Sequence, residues 1–97
     1  MSAPILRAEA AADVEEARRW HEARRQGLGD ELLEVVGGAL EFLETHAESA
    51  PVVQRDIRRQ LLRRFPYGIF YRVVHGQVVV LACLHVRHDP SVPRPRR

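Results

Sequence analysis

Lysine is absent from the 97-residue chain, so all 15 of its strong cations are arginine. A GC-rich coding bias explains most of that skew, but the consequence is chemical. Guanidinium offers planar, bidentate donors to phosphate or carboxylate and does not give up a proton near neutral pH. Cys83 is the single cysteine, which excludes an internal disulfide and a multi-cysteine zinc site and fits a reducing cytoplasm. No stretch approaches the roughly 18–20 unbroken apolar residues that a membrane span needs. The opening "MSAPILRAEAAADVEE" has neither a basic leader nor an apolar run, so no signal peptide is expected.

What is present suffices for one domain. An apolar content of 45% with 6% aromatics is that of a soluble globular fold, at a length near the lower end of what a single core supports without staples. The net charge of +2 hides a polarity. Residues 1–50 carry five arginines against eleven acids, whereas residues 51–97 carry ten arginines against Asp56 and Asp89 alone. Such asymmetry points to an acidic partner or a nucleic acid for the second half.

Ile5 to Glu9 reads as a short first strand. From about Ala10 to Gln26 the chain turns to Ala, Glu and Arg, all good helix formers. Val14, Ala17, Trp20, His21 and Ala23–Arg24 form a stripe at spacings of three and four, and Glu15 faces Arg19 at i,i+4. "QGLGD" at 26–30 ends this helix, with Gly27 suited to a left-handed cap. A second helix starts at Asp30 and runs to about His46, with Leu33, Val36, Leu40 and Leu43 as its main stripe. Gly37 and Gly38 inside it are placed to let the first helix approach closely. "AESAPVV" at 47–53 reads as a loop, since Pro51 keeps Ala50 extended. The period then changes to two through "IRRQLLRRF" (57–65), "YGIFYRVV" (67–74) and "QVVVLACLHV" (77–86), the last two joined by a tight His75–Gly76 turn. The final strand is apolar on both faces and is expected to be the covered centre of the sheet. The order β-α-α-β-β-β predicts an α+β fold, a helical hairpin packed on one face of a small, mainly antiparallel sheet. A single domain is expected over residues 1–90, with a flexible Pro/Arg tail over 91–97.

This order, the helical stretch "ADVEEARRWHEARRQGLGDELLEVVGGALEFLETH" and the later "RRFPYGIFYRV" and "VVVLACLHVRHDP" together resemble the RelE/ParE superfamily of toxins from bacterial type II toxin–antitoxin modules. The resemblance covers nearly the whole chain and implies one fold with two unlike mechanisms. RelE-like toxins cleave mRNA in the ribosomal A site, which needs a base for the ribose 2′-OH, cations for the phosphate and an acid for the leaving oxygen. ParE-like toxins poison DNA gyrase without hydrolysis. In both branches an antitoxin lays an extended or helical segment over the toxin. The RelE-like set of lysines and a C-terminal tyrosine has no counterpart here, since no tyrosine follows Tyr71. A second ribonuclease subgroup needs a glutamate, and none lies beyond residue 48. "LHVRHDP" is similar to the His-x-x-Arg-x-Asp-Pro ending of ParE-like toxins, with Arg87 displaced by one position. The resemblance therefore favours a ParE-like gyrase inhibitor. An mRNA endoribonuclease is the alternative, and a degenerate toxin that retains only antitoxin binding is the third reading.

Several side chains are candidates for these roles. Arg63 and Arg64 precede Phe65 at a strand end, where alternation puts them on opposite faces, as phosphate or acidic-partner contacts or merely as a solvated end. Arg72 interrupts an apolar strand and serves either a partner contact or a structural ion pair. His85 and Arg87 fall on one strand face, Val86 and His88 on the other. In a ribonuclease, His85 or His88 is the acid/base, while Arg72 and Arg87 hold the phosphate. The plainer reading has His85 capping the sheet and Arg87 paired with Asp89. In a gyrase inhibitor, Arg63, Arg64, Tyr67, Arg72, His85 and Arg87 bind the partner. Trp20, His21, Phe42, Tyr67 and Tyr71 read as packing groups, His46 as a cation at a helix C-terminus, and Cys83 as a small buried hydrophobe. The five histidines form no metal motif, and no metal or cofactor is expected. Expected partners are the cognate antitoxin and DNA gyrase, or the ribosome and mRNA, with no membrane; the expected location is the cytoplasm. Oligomeric state is not legible. All readings require one working side, a cleft over the uncovered sheet face shared by Arg72, His85 and Arg87.

Overall fold

The computed structural model describes residues 3–88, His88 by its backbone alone. A two-residue strand β1 (Ile5–Leu6) leads into α1 (Ala8–Arg24) and α2 (Leu28–Thr45), followed by β2 (Val52–Gln54), β3 (Ile57–Leu61), β4 (Tyr67–Val74), β5 (Gln77–His85) and a 3-10 turn at Val86–His88. The five strands form one sheet in the order β1-β5-β4-β3-β2. Only β1–β5 is parallel; the other pairings are antiparallel. This is the predicted α+β architecture, with helices on one face of a mainly antiparallel sheet. Three details differ from expectation. The segment read as a loop contains the short edge strand β2, β4 rather than β5 occupies the middle of the sheet, and β3 stops at Leu61 instead of continuing to Phe65. The expected tail over 91–97 lies outside the described residues.

The hairpin forms as the sequence dictates, but its close contact is elsewhere. Along α2, Gly29, Leu32, Val36 and Leu43 recur at spacings of three, four and seven and are the buried positions. Along α1 only Ala10, Ala17 and His21 are buried, so small side chains let the helices and sheet approach. A β-carbon on Gly29 would lie 2.9 Å from the Arg18 carbonyl oxygen and 2.9 Å from a Glu22 carboxylate oxygen. Gly37 and Gly38, by contrast, face open space. The crossing glycine is therefore Gly29. The Glu22 carboxylate accepts the amide hydrogens of Gly27 (3.0 Å) and Gly29 (2.9 Å), satisfying free donors at the start of α2. Those bonds hold the Glu22 carboxyl below the ordinary carboxylate range. Glu15 binds Arg18 through two hydrogen bonds (2.6 and 2.8 Å) and Arg19 at 3.4 Å, the latter the expected i,i+4 pair.

The core lies between the helices and one sheet face. Ala10, Ala17, Leu32, Val36 and Leu43 meet Tyr67, Ile69, Tyr71, Val78, Val80 and Cys83 there. Tyr71, fully buried, donates its hydroxyl to the Ala47 carbonyl at 2.7 Å, and Arg58 donates to the Glu48 and Ala50 carbonyls at 3.0 and 2.7 Å. Together they tether the segment between α2 and β2. His46 ends α2 with a ring nitrogen 3.2 Å from the Phe42 carbonyl.

An irregularity in β5 sets which face its last residues present. Tyr71 pairs with Val80, but Phe70 pairs with Ala82, leaving Leu81 as an extra residue in a β-bulge. Strict alternation from Val78 and Val80 would turn Cys83 and His85 away from the helices. The bulge instead brings Cys83 into the core, 4% exposed, where its amide donates to the Asp13 carboxylate at 3.0 Å. Among the described residues no helix is long and apolar enough to cross a membrane.

Candidate partner-binding site

The candidate residues fall into three places rather than one. The first is a cleft between α1 and the end of β5, about 950 Å³, lined by Asp13, Ala17, Trp20, His21, Arg24, Tyr67, His85 and Arg87 among others. Tyr67 pairs with His85 across the sheet, and their rings meet edge to face at 5.3 Å. His21 is buried between Trp20, Phe65 and Tyr67, with ring centroids 4.8, 5.1 and 5.7 Å away. Its Nε2 has no hydrogen-bond partner. Desolvation, with Arg24 and His85 nearby, holds the His21 pKa below its ordinary value. Burial raises that of Tyr67, and Cys83 beneath it is pushed up to about 12 by burial and by Asp13. Tyr67 and Cys83 thus stay protonated and His21 neutral near neutral pH, so these three form a wall rather than proton carriers. Trp20, expected as a packing group, is 52% exposed on the rim, with the Arg24 guanidinium 4.0 Å from its ring centroid.

The second place is a groove of about 580 Å³ between α2 and the end of β3, lined by Val35, Ala39, Phe42, Leu61, Arg63 and Arg64 together with Glu31 and Glu34. The expectation that Arg63 and Arg64 point to opposite faces fails because β3 has ended. Arg64 takes a left-handed conformation (φ 70°), and both arginines line the same groove. Arg64 bonds Glu31 at 2.8 Å, and Glu31 also accepts from Arg25 at 3.0 Å. The two guanidinium groups hold the Glu31 carboxyl below its ordinary range. Phe42, another expected packing group, is 45% exposed and stacks on His46 at 4.1 Å.

The third place is the sheet face away from the helices, where Phe70 is buried. There Arg59 pairs with Phe70 in register, Leu61 with Gly68, and Arg72 with Val79. Gly68 leaves room for the Arg59 stem, whose Cγ would lie 3.1 Å from an added β-carbon. Arg72 makes an ion pair with Asp56 at 3.5 Å.

The single working side expected over the open sheet face is therefore not formed. His85 and Arg87 share a cleft, although Arg87 belongs to the 3-10 turn and its amide donates to His85 Nδ1 at 3.1 Å. Arg72 lies on the opposite face. It is five residue steps along β4 from Tyr67, the partner of His85, a distance of about 16 Å at the usual strand rise. The His88 side chain and an Arg87–Asp89 pair lie outside the described residues. Sequence reasoning missed the rim role of Trp20 and Phe42; the signal available was their position beside the stripes Ala10–Ala17–His21 and Leu32–Val36–Leu43 rather than on them. Among the described residues no group of three His, Cys, Asp or Glu is placed to hold a metal ion.

Residues 5–90 match the sequence model of a family described as the ParE toxin of type II toxin–antitoxin system, parDE. Among solved structures, the chain is similar to one described as the chromosomal ParDE TA system from P. aeruginosa. That similarity has a TM-score of 0.68 and 18% identity, and it covers 86% of this chain and 96% of that one. No curated protein matches the chain.

Proposed function

The chain belongs to the ParE toxin family of type II toxin–antitoxin systems, and from that premise we propose that it is a bacterial growth inhibitor, neutralised by a cognate antitoxin, that acts in the cytoplasm by poisoning DNA gyrase without hydrolysis. The observation that carries the non-hydrolytic part is the separation of Arg72 from His85. Cleavage of mRNA needs an imidazole and guanidinium groups around one phosphate. Here the α1–β5 cleft holds His85 with Arg24 and Arg87. Arg72, however, the cation expected beside His85 and Arg87, is engaged by Asp56 on the other side of the sheet, and His21 in the cleft wall is kept neutral by burial. Beside His85, Tyr67 is held in its protonated form by burial, so it supplies no base. What the α1–β5 cleft offers is a contact surface: aromatic edges, two guanidinium groups and an apolar floor. Such groups are those that dominate binding energy at protein interfaces. Tyr67, His85 and Arg87 form the principal contact set, with Arg63 and Arg64 in the second groove and Arg72 on the open face as outlying contacts.

Purified protein incubated with gyrase and supercoiled plasmid is expected to accumulate protein-linked, double-strand-cleaved DNA. No cleaved complex at micromolar toxin removes gyrase as the target. A-site cleavage of mRNA in a translation extract, lost on His85→Ala, would establish the ribonuclease reading instead.

A further inference from the structure

The cationic groups of the two clefts differ in how they are occupied. In the α2–β3 groove Arg64 is already held by Glu31. In the α1–β5 cleft neither Arg24 nor Arg87 has a carboxylate partner among the described residues. The two lie toward the same end, because α1 and β5 run in the same direction: Asp13 meets Cys83, and about two helical turns on, His21 meets Tyr67, the ring neighbour of His85. The cleft is thus graded, with Asp13 and Glu16 at one end, exposed Trp20 in the middle and Arg24 with Arg87 at the other. A guanidinium stacked on an indole keeps its in-plane N–H edge free, and that edge fits a carboxylate bidentately.

We propose that this cleft anchors an acidic, apolar-bearing segment of the antitoxin, with a carboxylate on Arg24 and Arg87 and an apolar side chain against Trp20. The proposal rests on the toxin reading above and adds the place and chemistry of the contact. A polypeptide fits better than a nucleic acid. Asp13 and Glu16 on the same wall repel a continuous phosphodiester track, which carries a charge at every nucleotide. A peptide instead brings one localised carboxylate beside an apolar group, matching the graded cleft.

The test is calorimetric titration of the protein with the antitoxin encoded beside its gene, for wild type and for Trp20→Ala, Arg24→Glu and Arg87→Glu. Arg24 and Arg87 are exposed, so circular dichroism melts of their variants are expected to stay at the wild-type value, whereas Trp20→Ala uncovers one side of His21 and is titrated well below its own melting midpoint. Each substitution is expected to weaken binding by about tenfold or more, and the two charge reversals to lose part of that effect at high salt. Leu33→Ala, an exposed apolar position on α2 outside both clefts, is expected to bind as wild type. Unchanged affinity in the three cleft variants overturns the proposal, as does loss confined to Phe42→Ala, which would move the anchor to the α2–β3 groove. Tight binding of labelled single-stranded RNA, abolished by Arg24→Glu and Arg87→Glu while the antitoxin still binds those variants, overturns it as well. A wild-type protein that neither binds the antitoxin nor arrests growth defeats the toxin reading itself, and the anchor site with it.

Discussion

Gly29→Ala and Gly37→Ala put the same methyl group on the same helix, and the structure assigns them opposite effects. Both substitutions restrict the unfolded chain and favour helix, a gain of up to about 1 kcal/mol in an open interior position. At Gly37 nothing lies within 4 Å of the new β-carbon, so the gain stands. At Gly29 the β-carbon would sit 2.9 Å from the Arg18 carbonyl oxygen, a backbone atom that cannot swing away, and 3.0 Å from the Arg18 Cγ. Relieving that contact requires α1 and α2 to separate, which disturbs the Gly27 and Gly29 amide bonds to Glu22. Overpacking of this kind costs about 1–3 kcal/mol. The propensity gain is common to both variants, so the contact term dominates the difference between them. For a domain of this size about 1 kcal/mol moves Tm by about 4–8 °C. Thermal and urea melts followed by circular dichroism should place Gly37→Ala at or above wild type and Gly29→Ala at least about 4 °C below Gly37→Ala. If Gly29→Ala melts with or above Gly37→Ala, the helix crossing is not where the structure puts it.

Two further outcomes are expected. Tyr71→Phe removes the hydroxyl that donates to the Ala47 carbonyl and should cost about 1–2 kcal/mol in urea unfolding; an unchanged midpoint would mean that this bond does not tether the segment before β2. The folded pKa of His21 is lowered from the ordinary 6.5 by desolvation, Arg24 and His85, so below about pH 6.5 the unfolded chain binds the extra proton first and stability falls with pH until the folded group also titrates. His21→Phe should flatten that part of the stability–pH curve, and parallel curves for variant and wild type would show that the imidazole is not desolvated.

Much of the fold is legible in the sequence because local chemistry and the tertiary structure agree. The Ala-, Glu- and Arg-rich stretch, the stripe through Val36 and Leu43 and the His75–Gly76 turn each specify their element without help from distant residues. Legibility ends where a contact, not a pattern, decides. Gly29 in a turn-like "GLGD" gives no sign that it lies against the Arg18 backbone, while the conspicuous Gly37–Gly38 pair faces open space. The end of β3 is hidden because Arg63 and Phe65 stay in phase with Ile57, Arg59 and Leu61, although the chain turns at Arg64 with φ 70°. Arg63 and Arg64 consequently line one groove.

Arg72 and His85 lie on opposite faces of the sheet because of Leu81, while the roughly 16 Å between them along the strands would remain in either register. In an unbroken hairpin closed at His75–Gly76, pairing would run from Arg72 opposite Val79, with residues 81, 83 and 85 on the Arg72 face; His85 and Arg72 would then share the open side of the sheet. The bulge between Val80 and Ala82 shifts every later residue by one, and one residue exchanges the two faces of a strand. In "VVVLACL" both faces are apolar, so the hydrophobic pattern cannot register the slip. Asp13 can: its carboxylate meets the amide of Cys83 just past the bulge, a stabilisation that the regular register would forgo. The extra residue moves His85 from a sheet surface beside Arg72 into a cleft beside His21, Trp20 and Arg24. That displacement turns His85 away from the face of Arg72 and adds it to the α1–β5 cleft, the surface proposed above to grip a protein.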